Sequence, residues 1–442
     1  MRLPTPADKV AKLQTSLQTK AKAEPAFRFY ALWDKIYRED VLQEAYRRCR
    51  LNAGAPGADR ETFEQIEARG LERWLETLQQ ELRTKQYRPQ PLLRVWIPKS
   101  NGGQRPLGIP TIRDRVVQMA VVLIIGPIFE ADLLPQQYGF RPGVDAKMAV
   151  RRVFWHVTQH GRREVVDADL RDYFTSIPHT PLLRSLRRRI ADGQLLHTIK
   201  NWLTVPVVEY IDGRPVRTTE ARRTKRGTPQ GGNISPLLAN CYFRRFLLAW
   251  LQHGHQAQLD AHVVNYADDF VICCKPGNAQ AAMTRMKVLM TRLGLTVNEA
   301  KTRIACLPEE SFNFLGYTFG RFYNKDGRPY IGTRPSRKAI KSLLARIHER
   351  TSRQWYADMP ENTVAVISRL VRGWCGYFDQ GPVMKVYALV RKYTERRVRR
   401  WLVKRRGGRG TGYKQFPDEH LYQTLGLYTI PLRRADLPSA KV

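Results

Sequence analysis

The chain has 442 residues, which is long enough for two or three domains with a large core. Because 43% of the residues are hydrophobic, an intrinsically disordered protein is excluded. Its 75 Lys and Arg residues outnumber its 40 Asp and Glu residues and give a formal net charge of +35. No fold requires this excess, because self-repulsion opposes compaction. We therefore expect a polyanionic partner, with nucleic acid first and an anionic membrane surface second.

Targeting and cysteine patterns narrow the class further. No apolar run reaches the roughly 18 residues needed to span a bilayer, and the N-terminal residues lack the apolar core of a secretion signal. The six cysteines form no C-x-x-C pair and no zinc-like cluster with histidine. The sequence predicts a cytoplasmic chain with reduced cysteines, no structural metal and no membrane association.

The first 110 residues contain a candidate anion site. Residues 1–88 are predicted to be mostly helical, and a strand follows at 92–98. Asn101-Gly102-Gly103 predicts a hairpin turn, with Lys99 and Arg105 on opposite arms. The two cations are placed to converge on an anion such as a triphosphate. Two ordinary exposed basic residues fit the same local pattern.

Two apolar runs end in acidic residues. His262 to Cys274 predicts a β-hairpin with Asp268 and Asp269 at its turn. Burying adjacent carboxylates is costly unless they are compensated, and Mg²⁺ is the usual compensation. Asp169 ends a predicted strand, so it can supply a third carboxylate to a two-metal site for phosphoryl transfer. Locally, a solvated Asp-Asp turn and a strand-terminating Asp fit equally well.

A loop and a basic helix complete the candidate features. The segment 227–240 is a Gly/Pro loop leading into a helix, where paired glycines allow a ligand close to the backbone and Gln230 can bond a base or sugar. Such a loop is a weak signal alone. Beyond Arg334, three amphipathic helices are predicted, and residues 391–409 carry ten Lys or Arg against one acid, Glu395. This density is typical of a phosphate-tracking surface.

In order and spacing, these stretches resemble the signature of a reverse transcriptase, more narrowly the reverse transcriptase/maturase of bacterial group II introns. The likeness runs from Asn52 to about Phe319, with a weaker match through the C-terminal helices. The matching motifs are segments 97–99 with 105–110, 139–143, Asp169 with Tyr173-Phe174, the loop 227–240, the box Tyr266-Ala267-Asp268-Asp269, and Leu370 to Phe378.

The resemblance implies an α+β right-hand polymerase with fingers, a ferredoxin-like antiparallel-sheet palm and a helical thumb. Its expected domains are an N-terminal helical extension of the fingers (1–88), fingers and palm (89–333), a thumb or maturase domain (334–404), and a basic DNA/RNA-binding tail (405–442). The implied activity is Mg²⁺-dependent cDNA synthesis on an RNA template, together with splicing assistance and retrohoming.

The resemblance also implies roles for individual residues. Asp169, Asp268 and Asp269 would bind two Mg²⁺, with Mn²⁺ as a substitute. Lys99 and Arg105 would hold the triphosphate, Phe174 would stack under the deoxyribose and exclude a 2′-hydroxyl, Gln230 and Gly231 would contact nucleotide and template, and Lys301 would protonate pyrophosphate. The expected nucleic-acid contacts are Arg141, Arg396, Arg397, Arg399 and Arg400.

The implied partners are intron RNA, a DNA primer or target, and dNTPs, and the implied place is the bacterial cytoplasm, at the nucleoid when target DNA is bound. The sequence leaves the oligomeric state open, a homodimer included. Two alternatives stay open for the function: a non-catalytic RNA-binding maturase, and a domesticated defence or repair reverse transcriptase.

Overall fold

The computed structural model describes residues 5–98, 102–212 and 214–432, so Lys99 and the last ten residues of the predicted tail lie outside the described residues. The chain forms two compact units. Unit 1 takes in the described parts of Met1–Asp145, Ala168–Phe270 and Gln280–Thr302, and unit 2 those of Ala146–Asp167, Val271–Ala279 and Arg303–Val442. The division therefore does not follow the domain boundaries expected at residues 88, 333 and 404.

The N-terminal part of unit 1 is helical, as predicted. A capping box between Thr5 and Asp8 begins the first helix. A break between two helices occurs at Gly70, whose φ of 101° is unfavourable for residues with a side chain. The helices are α1 (Pro6–Ala23), α2 (Trp33–Ile36), α3 (Glu39–Leu51), α4 (Phe63–Arg69) and α5 (Leu71–Arg83).

The centre of unit 1 is the helix α6 (Ile112–Glu130). It is apolar on most of its circumference and largely buried, and α1 and α3 pack against it. A buried carboxylate, Asp114, fixes the chain entering the first sheet, because it accepts hydrogen bonds from Tyr87 Oη at 2.6 Å and from the Gln90 amide at 2.9 Å.

The first sheet lies wholly in unit 1 and has the order β2-β1-β4-β5. Its strands are β1 (Leu92–Pro98), β2 (Gln104–Ile109), β4 (Val207–Ile211) and β5 (Arg214–Thr218). The predicted hairpin arms are confirmed, since β1 and β2 are antiparallel with Pro98 opposite Gln104. β4 is parallel to β1 and antiparallel to β5.

The remaining helices of unit 1 follow residue 172 in the chain. They are α8 (Tyr173–Ser176), α9 (His179–Arg187), α10 (Gly193–Thr204), α11 (Glu220–Thr224), α12 (Ser235–Gln252), α13 (His255–Gln258) and α14 (Ala279–Arg292). The helix α12 buries an aromatic face that includes Phe243, Phe246 and Trp250, and it packs on α6 and α9. This packing fixes the position of the Gly/Pro loop that precedes α12.

A second four-stranded sheet carries the acidic strand ends. Its order is β6-β7-β3-β8, from β3 (Glu164–Asp169), β6 (His262–Tyr266), β7 (Asp269–Cys274) and β8 (Arg303–Cys306). β3 and β8 are antiparallel, with Val165 opposite Ala305. Both flanks of the Asp268–Asp269 turn are strands, as the sequence predicts.

Unit 2 combines a small sheet with helices. The sheet consists of the antiparallel strands β9 (Phe312–Phe314), β10 (Tyr317–Tyr323) and β11 (Pro329–Pro335). The helices are α7 (Ala146–Thr158) and the three predicted helices α15 (Arg337–Arg350), α16 (Pro360–Tyr377) and α17 (Met384–Arg405). A 3₁₀ turn at Arg353–Trp355 and a π turn at His420–Thr424 also belong to this unit. In the described part of the chain, no helix is both long and apolar enough to cross a membrane.

The predicted tail is not separate from the helices before it. Phe416, Leu421, Leu425 and Ile430 are buried in the same hydrophobic core as α15, α16 and α17. The segment to Ile430 supplies apolar side chains to this core, whereas the domain boundary expected at residue 404 stays a prediction. None of the six cysteines, all within the described residues, forms a disulfide.

Candidate active site

The turn that carries Asp268 and Asp269 is held by its neighbours in unit 1. Ala267 has a positive φ of 60°, and Asn265 Nδ2 donates to its carbonyl at 2.8 Å. Gly139 packs directly against this turn: a Cβ on Gly139 would lie 2.4 Å from the Ala267 nitrogen. Glycine is therefore required at the first position of the 139–143 motif, because two backbone segments approach each other closely there.

Two of the three predicted carboxylates line one cavity. Asp169, at the end of β3, and Asp268, in the turn, lie on the wall of a cavity of about 780 Å³ in unit 1. Asp269 is exposed at the first position of β7 and is not among the residues that line it. The other lining side chains include Arg105, Phe140, Phe174, Gln230, Asn298 and Lys301. We call this the catalytic cavity.

The carboxylate of Asp169 is fixed by the segment that follows α14. Asn298 Nδ2 donates to Asp169 Oδ2 at 2.9 Å, and Lys301 Nζ lies 3.3 Å from the same oxygen. The backbone is tied as well, because the Asn298 amide donates to the Asp169 carbonyl at 2.8 Å. Sequence reasoning named Lys301 and missed Asn298. The sequence feature that could have identified Asn298 is its position in a turn, three residues before Lys301.

The aromatic pair after Asp169 is anchored from below. Tyr173 is buried, and its hydroxyl donates to the Ala239 carbonyl of α12 at 2.7 Å. Burial raises the pKa of Tyr173, so the phenol stays neutral. The next side chain, Phe174, lies on the cavity wall. Its ring packs edge to face against the ring of Phe140, with 6.5 Å between the centroids.

The Gly/Pro loop closes another side of the cavity against β2. The Gly108 amide donates to the Gln230 carbonyl at 2.7 Å. Gly231 has a φ of 114°, and a Cβ there would lie 2.7 Å from the Gly108 carbonyl oxygen, so only glycine fits. Gln230 Oε1 is buried with no hydrogen-bond partner among the described residues. This amide oxygen is therefore an unsatisfied acceptor of a residue that lines the cavity.

The donor set suits a hard divalent cation that a substrate helps to bind. Asp169 and Asp268 present carboxylate oxygens to one cavity. Across the described ranges, no three Asp, Glu, His or Cys side chains lie close enough to hold a metal ion by themselves. Mg²⁺ commonly takes one or two carboxylates and completes its shell with substrate phosphates and water. The residues thus fit Mg²⁺ bound together with a nucleotide.

The structure corrects several predicted nucleic-acid contacts. Arg141 is only 15% exposed and pairs with Glu130, so it holds its own loop together. The Arg399 side chain is fully buried, bonds the Phe416 carbonyl at 2.9 Å and pairs with Asp418. The Arg399 guanidinium is not accessible to a phosphate backbone, whereas Arg141 is partly exposed.

The other predicted contacts on α17 differ in exposure. Arg397 is half-buried, and its Nε donates to Thr351 Oγ1 at 3.0 Å. Arg396 and Arg400 are exposed. Only these last two keep the accessibility that the prediction required.

Comparison with known proteins identifies the family. Residues 97–319 match the family "Reverse transcriptase (RNA-dependent DNA polymerase)", and residues 340–415 match "Group II intron, maturase-specific domain". The chain is 33% identical over 366 residues to Protein YkfC of Escherichia coli strain K12, covering 75% of this chain and 93% of that protein.

Two further relatives carry the word intron in their names. Group II intron-encoded protein LtrA of Lactococcus lactis subsp. cremoris is 31% identical over 215 residues, covering 48% of this chain and 34% of LtrA. The putative COX1/OXI3 intron 1 protein of Saccharomyces cerevisiae is 26% identical over 332 residues, covering 63% of this chain and 38% of that protein. The chain thus spans about a third of these two relatives. With both domain matches in order, it belongs to the reverse transcriptases of the group II intron type and carries their maturase-specific domain.

Proposed function

We propose that this reverse transcriptase synthesises cDNA on an intron RNA template from a DNA primer, and that it also assists splicing and retrohoming of that intron. The observation that carries the proposal is the shared catalytic cavity of Asp169 and Asp268, which also presents Arg105, Phe174 and Gln230. Two carboxylates, a cation, an aromatic ring and an amide in one cavity match the charge and shape of a deoxynucleoside triphosphate with Mg²⁺.

The three aspartates would hold two Mg²⁺, with Mn²⁺ as a substitute. When bound, the cations would neutralise charge on the phosphates and lower the pKa of the primer 3′-hydroxyl. Asp169 is held in place for this role, because Asn298 and Lys301 both contact its Oδ2. Asp268, in the turn between β6 and β7, would bind the same cations. Asp269 would bind them as well once substrate is bound.

The remaining cavity residues would select and orient the nucleotide. Arg105 would hold the triphosphate, together with Lys99, which the sequence predicts on the other arm of the hairpin. Phe174 would lie under the sugar and exclude a 2′-hydroxyl. Gln230 and Gly231 would contact the incoming nucleotide and the template, with the buried Oε1 of Gln230 as acceptor. Lys301, whose side chain is 60% exposed, would protonate the leaving pyrophosphate.

In a right-hand description, residues 1–88 and the β2-β1-β4-β5 sheet would form the fingers, and the β6-β7-β3-β8 sheet the ferredoxin-like palm. The thumb would run from 334 to 430, since Phe416 to Ile430 share its core. Residues 340–415 match the maturase-specific domain, so intron RNA is the natural ligand of this part. A bacterial nucleoid location, with target DNA bound, follows from the retrohoming role.

The test separates polymerase from splicing factor. Purified full-length protein should extend a DNA primer on an RNA template with Mg²⁺, and Asp268→Asn should abolish extension while intron splicing continues. If wild type extends nothing and Asp268→Asn splices equally well, the chain is a non-catalytic maturase. If extension is present but no intron RNA is bound or spliced, the domesticated defence or repair function replaces the intron role.

A further inference from the structure

A second cavity in unit 1 shares no lining residue with the catalytic cavity. Its volume is about 420 Å³, and its wall comes from the chain before α2, the end of α6, the end of α9 and the C-terminal half of α12. It carries four arginines, Arg188, Arg189, Arg244 and Arg245, against one carboxylate, Asp132. We call it the arginine cavity.

Arg189 and Asp132 belong to the scaffold of this cavity. Arg189 is 3% exposed, and its terminal nitrogens donate to the carbonyls of Ala21 and Glu24, which close the end of α1. Its Nε lies 3.3 Å from Asp132 Oδ2. This arginine therefore stabilises the fold, and its charge is balanced by the one carboxylate of the cavity.

The other three guanidinium groups form no salt bridge among the described residues, and Arg244 acts electrostatically on Asp132 together with Arg189. Arg244 Nε donates to the backbone carbonyl of Asp132 at 2.6 Å. Arg245 Nη1 contacts Ser185 Oγ at 3.3 Å, whereas its Nε is buried without a hydrogen-bond partner within the described ranges. Arg188 is exposed at the rim. Three like charges lining 420 Å³ repel one another, so the cavity is complementary to an anion.

The shape and position of the cavity define the anion. A planar guanidinium fork matches two phosphate oxygens, and three forks on one wall suit a phosphate group. The volume admits one nucleotide-sized group and excludes a duplex. The triphosphate of the catalytic cavity is also excluded: Ser235, which lines that cavity, is ten residues from Arg245 on α12, about 15 Å along the helix axis.

We infer that the arginine cavity binds a phosphate of an unpaired nucleotide in an RNA strand. The net charge of +35 makes RNA the expected source of that phosphate. The inference uses the RNA-binding part of the proposed function for the identity of the strand, and it stands without the polymerase activity. Its readout is RNA affinity, so a failed extension assay and a failed cavity test are distinguishable.

The test uses the full chain and a single-stranded RNA oligonucleotide over about 50 to 200 mM salt. The variant Arg244→Gln/Arg245→Gln should make the slope of log affinity against log salt shallower by about 1.4, because each single-strand phosphate contact contributes about 0.7. The matched control, Arg184→Gln/Arg187→Gln, removes the same charge from exposed arginines of α9 that do not line the cavity, and its slope should stay that of wild type.

Inorganic phosphate distinguishes the two sources of the group. It should compete with the RNA, and it should raise the melting temperature of wild type but not of the cavity variant. If phosphate stabilises wild type selectively while RNA slopes are equal, a free anion is the ligand and the RNA assignment is overturned. If a folded cavity variant matches wild type in both measurements, the site itself is overturned. Should that variant not fold, Arg188→Gln at the rim must still reduce the slope by about 0.7.

Discussion

The side-chain amide of Asn298 donates a hydrogen bond to the carboxylate of Asp169, with 2.9 Å between Asn298 Nδ2 and Asp169 Oδ2. The Asn298 backbone amide also donates to the Asp169 carbonyl. Both contacts come from the segment after α14, so this turn sets the orientation of the carboxylate that the proposed metal chemistry depends on. Asn298 is thus a positioning residue.

Asn298→Ala should lower kcat of primer extension about 10- to 100-fold, since a hydrogen bond to a charged group is worth about 1.5–3 kcal/mol. KM for the dNTP should change little, and the Mg²⁺ concentration needed for half-maximal rate should rise. Steady-state extension assays with Mg²⁺ titration measure both. Asn201→Ala, outside the catalytic cavity, is the control. If Asn298→Ala lowers the stability of the protein but leaves its Mg²⁺ requirement unchanged, the role of Asn298 is only structural.

Phe174→Ala should relax sugar discrimination. The ring lies on the cavity wall against Phe140, so removing it opens space for a 2′-hydroxyl. The ratio of kcat/KM for dNTP to that for the matching rNTP should fall about 10- to 100-fold. Phe174→Tyr keeps the ring and should retain most of the discrimination. Equal ratios in wild type and Phe174→Ala would exclude this residue as the sugar filter.

Gly139→Ala should impair the turn that carries Asp268. The new Cβ would lie 2.4 Å from the Ala267 nitrogen, and backbone cannot yield without moving the turn. Overpacking of this kind costs about 1–3 kcal/mol of stability, and extension should fall at least about tenfold. Gly193→Ala is the matched control, because nothing lies within 4 Å of a Cβ there. Activity and melting temperature are measured together, and a wild-type rate for Gly139→Ala would contradict the close contact.

Arg399 and Arg400, adjacent on α17, should behave oppositely. Arg399→Gln breaks a buried contact with Asp418 and Phe416 and should cost about 2 kcal/mol in urea unfolding, less than a fully buried pair because Asp418 is 61% exposed. Arg396→Gln/Arg400→Gln should leave stability unchanged and make the salt slope of RNA binding shallower by about 1.4–1.8. The assignment would be reversed if Arg396→Gln/Arg400→Gln lowered the free energy of unfolding, or if Arg399→Gln left it unchanged.

Glu44 should contribute to acid sensitivity of unit 1. Hydrogen bonding from Arg47, opposed by burial and supported by Arg48, lowers the pKa of Glu44 from 4.5 to about 2. Because the folded pKa lies below the unfolded one, the stabilisation is present above about pH 4.5 and is lost as pH falls toward 2. Since both arginines are about half exposed, we expect about 1–2 kcal/mol.

The Glu44 contribution is measured as the free energy of unfolding between pH 7 and 2. Glu44→Gln should remove part of the loss on acidification, whereas Glu72→Gln, at an exposed position of α5, should follow wild type. An identical acid limb for wild type and Glu44→Gln would show that the pair is not linked to folding.

Local features of the chain were largely predictable because they depend on residues near one another in sequence. Alternating apolar runs predict both flanks of the Asp268–Asp269 turn, and Asn-Gly-Gly predicts the arms that present Arg105. The order of these motifs along the chain also indicates the family. Asn298 escaped prediction, since its partner Asp169 lies 129 residues away.

Burial of charge was the part that the sequence did not determine. In sequence, Arg399 and Arg400 are equivalent members of one basic run, and their different environments arise only when the segment from Phe416 to Ile430 folds back into the helical core. In the same way, Arg244 and Arg245 read as an ordinary basic pair until α12 packs against α6 and α9. The sequence by itself indicated the candidate metal ligands Asp169, Asp268 and Asp269 and the candidate nucleotide contacts Arg105 and Gln230. Tertiary packing decided which of those charges face a ligand, because long-range contacts alone set solvent exposure.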